Sequence, residues 1–235
     1  MTFSWKRVNA IFQKDFKDFS RNLAVSIVIF LPLILAAVYG RMGLDTIQAH
    51  FLNINMTFAM VGTYVQCCLI AEEKEKNTLR GLMLSPASIL EILSGKSLLS
   101  FVLTIVIAFF CAYLSEYRPA NFAIVAIAII ISSIFFIGLG TLLGLVAKSV
   151  MESSVIVLPV IALFTMGSYV TVWAEKYPVL QVAEYLPNIQ LIDLATKVEQ
   201  GAGFGDVFSN IAIIAIWALM VYVLTAIVYK KRMVD

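Results

Sequence analysis

The chain has 235 residues, of which 61% are hydrophobic and only 14% charged, with a net charge of +2 and a mean hydropathy of +0.93. A soluble domain carries about 25% charged residues, so a soluble fold is excluded and an integral membrane protein is expected. The small net charge gives no reason to expect a nucleic-acid partner.

Residues 3–21 open the chain with Trp5, Val8, Phe12, Phe16, Phe19 and Leu23 at spacings of three and four. At about 100° per residue these fall within an arc of roughly 80°. Lys6, Lys14, Lys17, Asp18 and Arg21 lie off that stripe. The pattern predicts an amphipathic helix in the cytoplasmic membrane interface, in contact with lipid. The region before the first apolar run is too long and too patterned for a cleaved signal.

Six segments without Asp, Glu, Lys, Arg or His follow at about 22–39, 51–71, 97–115, 120–147, 154–174 and 208–229. Each can cross about 30 Å of hydrocarbon as a helix, since open strands cannot satisfy their backbone in lipid. With the N-terminus inside, the cytoplasmic segments hold Lys6, Arg7, Lys14, Lys17, Arg21, Lys74, Lys76, Arg80, Lys96, Lys148, Lys230, Lys231 and Arg232. The outer segments hold only Arg41, Arg118, Lys176 and Lys197. The positive-inside rule therefore places both termini in the cytoplasm.

The stretch from Glu72 to Pro86 is charged and sits between two spans on the cytoplasmic side. Leu79, Leu82 and Met83 stand at i, i+3 and i+4 and give one apolar face to a short helix. Glu73, Glu75, Lys76 and Arg80 surround that face, and Ser85-Pro86 reads as the cap and first-turn proline of the next helix. Such a helix can dock in the groove of a soluble partner or lie against lipid.

Gly95-Lys96-Ser97 imitates the end of a phosphate-binding loop, but position 90 is Leu where that loop needs glycine. ATP binding by that device is excluded. His50, the only histidine, reads as a solvated residue of the outer loop, and no hydrolase or metalloprotease motif is present. Cys67, Cys68 and Cys111 lie in apolar runs and read as packing residues. No metal site or enzymatic activity is expected of this chain.

Spans without titratable groups disfavour proton coupling. They do carry neutral polar residues. Asn55, Gly62 and Gln66 share a stripe of the second span, and Thr165, Ser168 and Thr171 line the fifth. These residues read either as a substrate path or as interhelical hydrogen bonds. Gly140 and Gly144 form a small-xxx-small pair that predicts a close helix contact. Residues 175–207 are too polar and too broken by Pro178, Pro187 and three glycines to span the membrane. They predict two short helices dipping into the outer leaflet.

The run Glu73-x-Glu75-x-x-Thr78-Leu79-x-x-Leu82-x-x-Ser85-Pro86, followed by Gly95-Lys96, resembles the loop after the second span of type-2 ABC transporter permeases. Asn77 stands where that family usually has glycine, and Arg80 where it has glutamate. Tyr185-Leu186-Pro187 through Leu191-Ile192-Asp193 is similar to the family's leucine-proline stretch before the last span.

The resemblance covers the whole chain as one permease domain, 1–235. It implies an all-α integral membrane fold with six transmembrane helices and an N-terminal amphipathic interfacial helix. A cytoplasmic coupling helix within 72–96 and external re-entrant helices within 175–207, around Pro187 and Asp193, complete it. Glu73, Glu75, Thr78, Leu79, Leu82 and Met83 would couple the chain to a separate ATPase. Two ATPase subunits, carrying ATP and Mg, would pair with two permease chains, identical or related, in the inner (plasma) membrane. The activity implied is export of an amphipathic peptide, drug or lipid-like substrate. An ATP-independent channel or carrier, and a heme-delivery-type assembly component, are the competing readings.

Overall fold

The computed structural model describes residues 3–76, 78, 88–174 and 178–234, and all regular structure there is helical. The N-terminal helix α1 runs Trp5–Arg21. The apolar helix α2, Leu23–Arg41, follows, with its start marked by Asn22, whose side chain accepts from the Val25 amide. A 3₁₀ turn at Ile27–Ile29 interrupts α2. Pro32 explains it, because it has no N–H to offer the Val28 carbonyl four residues earlier.

Helix α3 spans Ile47–Glu75 and contains a π-helical stretch, Phe58–Val65. Its window is 83% buried against 17% for α2, so α3 is the central helix and α2 lies at the periphery. Helix α4 runs Ile89–Leu114, α5 Phe122–Val146 and α6 Val150–Ala174. A 3₁₀ helix, Pro178–Tyr185, leads into α7, Pro187–Glu199, and α8 runs Phe204–Val234. Among the described residues, five helices are long and apolar enough to cross a membrane: α2, α3, α4, α5 and α8. The fifth span expected from the sequence corresponds to α6, which is apolar through Met166.

The main core joins α3, α5, α7 and α8. Phe136 is its centre, stacked on Phe58 at 5.2 Å and edge-on to Phe135 and Phe164, both at 5.0 Å. Leu191, Leu194 and Ala195 bury the inner face of α7 in this core, while Asp193 points outward. The glycine pair of α5 behaves as the sequence predicts. A Cβ on Gly140 would lie 2.4 Å from the Thr63 carbonyl oxygen, and one on Gly144 would lie 2.7 Å from the Cβ of Ile70. Helices α3 and α5 therefore meet at backbone contact.

Two expectations need correction. His50 is buried, not solvated: its ring nitrogens lie 3.1 Å from the Ser115 hydroxyl and 3.0 Å from Asp45 Oδ1, and its ring packs on Tyr117 at 4.9 Å. Satisfying both nitrogens removes the reason for the ring to stay in water. In α1 the buried flank is Val8, Ile11, Asp15 and Phe19, whereas Trp5 and Phe16 are exposed. Helix α1 thus turns one flank, Phe19 included, to the protein and shows Trp5 and Phe16 outside, where a lipid interface would receive them.

Candidate functional site

The charged stretch after the second span is partly helical. Helix α3 continues through Glu72, Glu73 and Lys74 to Glu75, so the first four charged residues form its last turn. Successive side chains of that turn point about 100° apart, and each of three neighbours grips a different helix.

Glu73 turns inward and is buried. Its Oε1 receives the ammonium of Lys96 at 3.1 Å and also that of Lys14, and its Oε2 accepts from the Thr78 hydroxyl at 2.5 Å. Lys74 donates to the Leu145 carbonyl at 2.6 Å and to the Ala147 carbonyl, satisfying the otherwise unpaired C-terminal end of α5. Glu75 accepts from the Val150 amide at 3.0 Å, at the N-terminal end of α6 where the helix dipole favours an anion. Lys76 pairs back to Glu72 at 2.5 Å, and that hydrogen bond holds the Lys76 ammonium above its ordinary pKa.

Lys96 is fully buried near the start of α4, with Asp15 at 3.4 Å to both carboxylate oxygens in addition to Glu73. Neighbouring Gly95 makes this possible. A Cβ there would lie 2.8 Å from the Cβ of Ile11 and 3.1 Å from the Val8 carbonyl, so α1 lies directly on α4. A cavity of about 250 Å³ opens beside the cluster, lined by Lys14, Asp15, Asp18, Leu69, Glu72, Glu73, Lys76 and Thr78.

Helix α4 starts with a capping box in which Ser88 Oγ accepts from the Glu91 amide and Glu91 accepts from the Ser88 amide at 2.7 Å. The observed cap is therefore Ser88, and the Ser85-Pro86 pair assigned to that role lies outside the described residues. Glu91 also receives the Ser4 amide at 2.6 Å and Arg7 at 2.9 Å, which pins the first turn of α1.

Of the residues expected to couple to a partner, Glu73, Glu75 and Thr78 thus form the root of the loop. Leu79, Leu82 and Met83 lie outside the described residues. Sequence reasoning missed Asp15, Glu91 and Lys96. A signal existed for Asp15, an acid spaced four residues from both Ile11 and Phe19 on the buried flank of α1.

The polar residues of the spans do not gather into one open channel wall. Gln66 lies in the groove between α4 and α5, donating to Thr141 at 3.0 Å and accepting from Ser100 at 2.6 Å. The π-stretch between Asn55 and Gln66 changes the helical turn, so the stripe expected from regular spacing is broken there. Asn55 is buried and its Oδ1 has no hydrogen-bond partner among the described residues. Thr165 donates back to the Ile161 carbonyl of its own helix. The side chains of Ser168 and Thr171 lie outside the described residues.

On the opposite face, Pro187 occupies the first turn of α7. Asp193 pairs with Lys197 at 2.7 Å and accepts from Asn210 of α8 at 2.8 Å. Tyr117, in the connection between α4 and α5, reaches Glu199 at 3.3 Å. Burial, and then the Glu199 carboxylate, push the Tyr117 hydroxyl above the ordinary tyrosine range.

A family model described as an ABC-2 family transporter protein matches residues 43–227. That stretch begins just before α3 and ends in α8, taking in the charged loop, the 3₁₀ helix and α7 but leaving α1 and α2 outside. No curated protein matches the chain.

Proposed function

Because the chain belongs to the ABC-2 family of transporter proteins, we propose that it is the membrane half of an ATP-driven exporter. It is a multi-pass permease subunit, not itself an ATPase, and its family works with an ABC ATPase subunit. In the full assembly two permease chains pair with two ATPases, which carry the ATP and Mg. The substrate is an amphipathic peptide, drug or lipid-like molecule moved out of the cytoplasm across the inner (plasma) membrane.

The observation that carries this reading is the family match over 43–227, which includes both the charged loop and the segment before the last span. Charge placement supports N-in, C-in topology with six spans, α6 being the fifth. Within 72–96, Leu79, Leu82 and Met83 dock on the ATPase, and Glu73, Glu75 and Thr78 carry the motion into the bundle. Closure of the ATPase pair then switches the bundle between two packed arrangements. The 3₁₀ helix Pro178–Tyr185 and α7 cap the outer end as re-entrant helices, with Pro187 at the bend and Asp193 at the rim. Asn55, Thr165, Ser168 and Thr171 line the path, and the Gln66 bonds to Ser100 and Thr141 exchange when α4 and α5 part.

Co-expression with candidate ABC ATPases of the same cell tests the reading. The ATPase should stay bound in detergent, and Leu82→Asp should abolish its stimulation while leaving membrane insertion intact. If the ATPase is never retained, an ATP-independent channel or carrier replaces the exporter.

A further inference from the structure

Lys96 is a charged side chain with no exposure to solvent, held by one carboxylate from each of two other helices. Asp15 comes from the buried flank of α1 and Glu73 from the last turn of α3, and they are 2% and 3% exposed. Lys14 supplies a second, half-exposed cation shared by Glu73, Asp15 and Asp18, so both buried carboxylates have counter-charges even without Lys96. An ammonium sealed in this way cannot swing to water when its surroundings shift, because leaving it unpaired in a low dielectric is strongly unfavourable. Gly95 removes the one Cβ that would hold α1 and α4 apart at this level.

We infer that Lys96 is a buried tie that makes α1, the end of α3 and the start of α4 move as one body when the loop after Glu75 is displaced. It is a positioning residue and touches no substrate. Glu73 is covalently continuous with the loop and also holds Thr78 within it, so displacement of the loop root reaches α4 through Lys96 and α1 by two routes, the buried Lys96–Asp15 pair and the half-exposed Lys14. The neighbouring grips of Lys74 on the end of α5 and Glu75 on the start of α6 deliver the same displacement to the other side of the bundle. Glu75 is exposed whereas Glu73 is buried, so the connection to α1 and α4 is the stiffer one. Helix α1 lies outside the family-matched stretch, and the tie makes it part of the moving machinery instead of a passive surface anchor.

The part of this inference that concerns energy transfer depends on the exporter reading; the tie itself does not. The test uses the full chain in lipid nanodiscs and compares wild type, Lys96→Arg and the double variant Asp15→Asn/Lys96→Met. The double variant removes the buried tie without stranding a buried charge, since Glu73 keeps Lys14, and that half-exposed pair is the weaker of the two links to α1. Hydrogen exchange of the chain alone should show amides of α1 exchanging about tenfold faster in the double variant, with α5 and α8 unchanged and Lys96→Arg close to wild type. Equal protection of α1 in all three proteins overturns the tie.

With the ATPase bound, spin labels at Gln13→Cys on α1 and Leu219→Cys on α8 report the coupled motion. Trapping with ATP and vanadate should shift their separation by about 1–5 Å in wild type and Lys96→Arg, but not in the double variant. The same shift in the double variant also overturns the tie. Loss of ATPase binding in wild type defeats the exporter reading, and the exchange experiment then decides the tie by itself.

Discussion

Gly140→Ala probes the contact on which the central helices depend. The added Cβ would sit 2.4 Å from the Thr63 carbonyl oxygen, 2.9 Å from the Cβ of Gln66 and 3.0 Å from the Cα of Thr63. A carbon meets a carbonyl oxygen comfortably at about 3.3 Å, so α3 and α5 must separate by about 1 Å. None of the three obstructing atoms is the free end of a flexible side chain. The separation also stretches the 2.9 Å bond from Thr63 to the Phe136 carbonyl and the 3.0 Å bond from Gln66 to Thr141. Overpacking of this kind costs about 1–3 kcal/mol. At about 2–4 °C per kcal/mol for a chain of this length, Tm should fall by several degrees. Thermal unfolding in detergent, followed by tryptophan fluorescence, measures it. Gly205→Ala is the control, because nothing lies within 4 Å of its added Cβ and it sits in the first turn of α8. That change should be neutral or stabilising by about 0.5–1 kcal/mol. A Gly140→Ala protein melting at or above wild type would refute the backbone contact between α3 and α5.

Glu91→Ala should release the first turn of α1, since Ser4, Arg7 and Ser88 all lose their bonds to this carboxylate. Faster hydrogen exchange over 4–10 with an unchanged α8 would register it. Gln66→Leu should cost about 1 kcal/mol in stability, because two interhelical hydrogen bonds within a membrane bundle contribute about 0.6 kcal/mol each. A loss of several kcal/mol there would mean that the groove between α4 and α5 is held differently. Tyr117→Phe should make stability less sensitive to alkali. The folded state raises the Tyr117 pKa, so its contribution is complete below the unfolded value of about 10 and is lost as pH rises beyond it. Melting curves from pH 8 to 11 should converge less steeply for the variant than for wild type, and parallel curves would contradict that sign.

Much of the architecture was legible because lipid imposes strong rules on sequence. Apolar runs of the required length marked the five helices long and apolar enough to cross a membrane, and the Gly140-xxx-Gly144 spacing marked the backbone contact of α3 with α5, since only small residues let helix backbones touch. The family resemblance was legible in the Glu73-to-Pro86 run for a similar reason: charges between two spans are rare enough to be distinctive. Where reasoning failed, partners distant in sequence decided the outcome. His50 looked solvated because Ser115 and Tyr117, more than sixty residues away, were not visible as its neighbours.

The amino-acid order alone determined that this chain lives in a membrane, where most of its helices run and which family it resembles. It did so because burial in hydrocarbon and backbone satisfaction act locally, residue by residue. Only the tertiary structure decided what the charges do. Glu73, Lys74 and Glu75 are adjacent in sequence, yet they hold Lys96, the end of α5 and the start of α6. The pairing of Asp15 with Lys96 spans 81 residues and depends on a glycine that lets two helices touch. A buried charge is tolerated only where its counter-charges arrive from other elements, and that arrangement does not exist until the helices have packed.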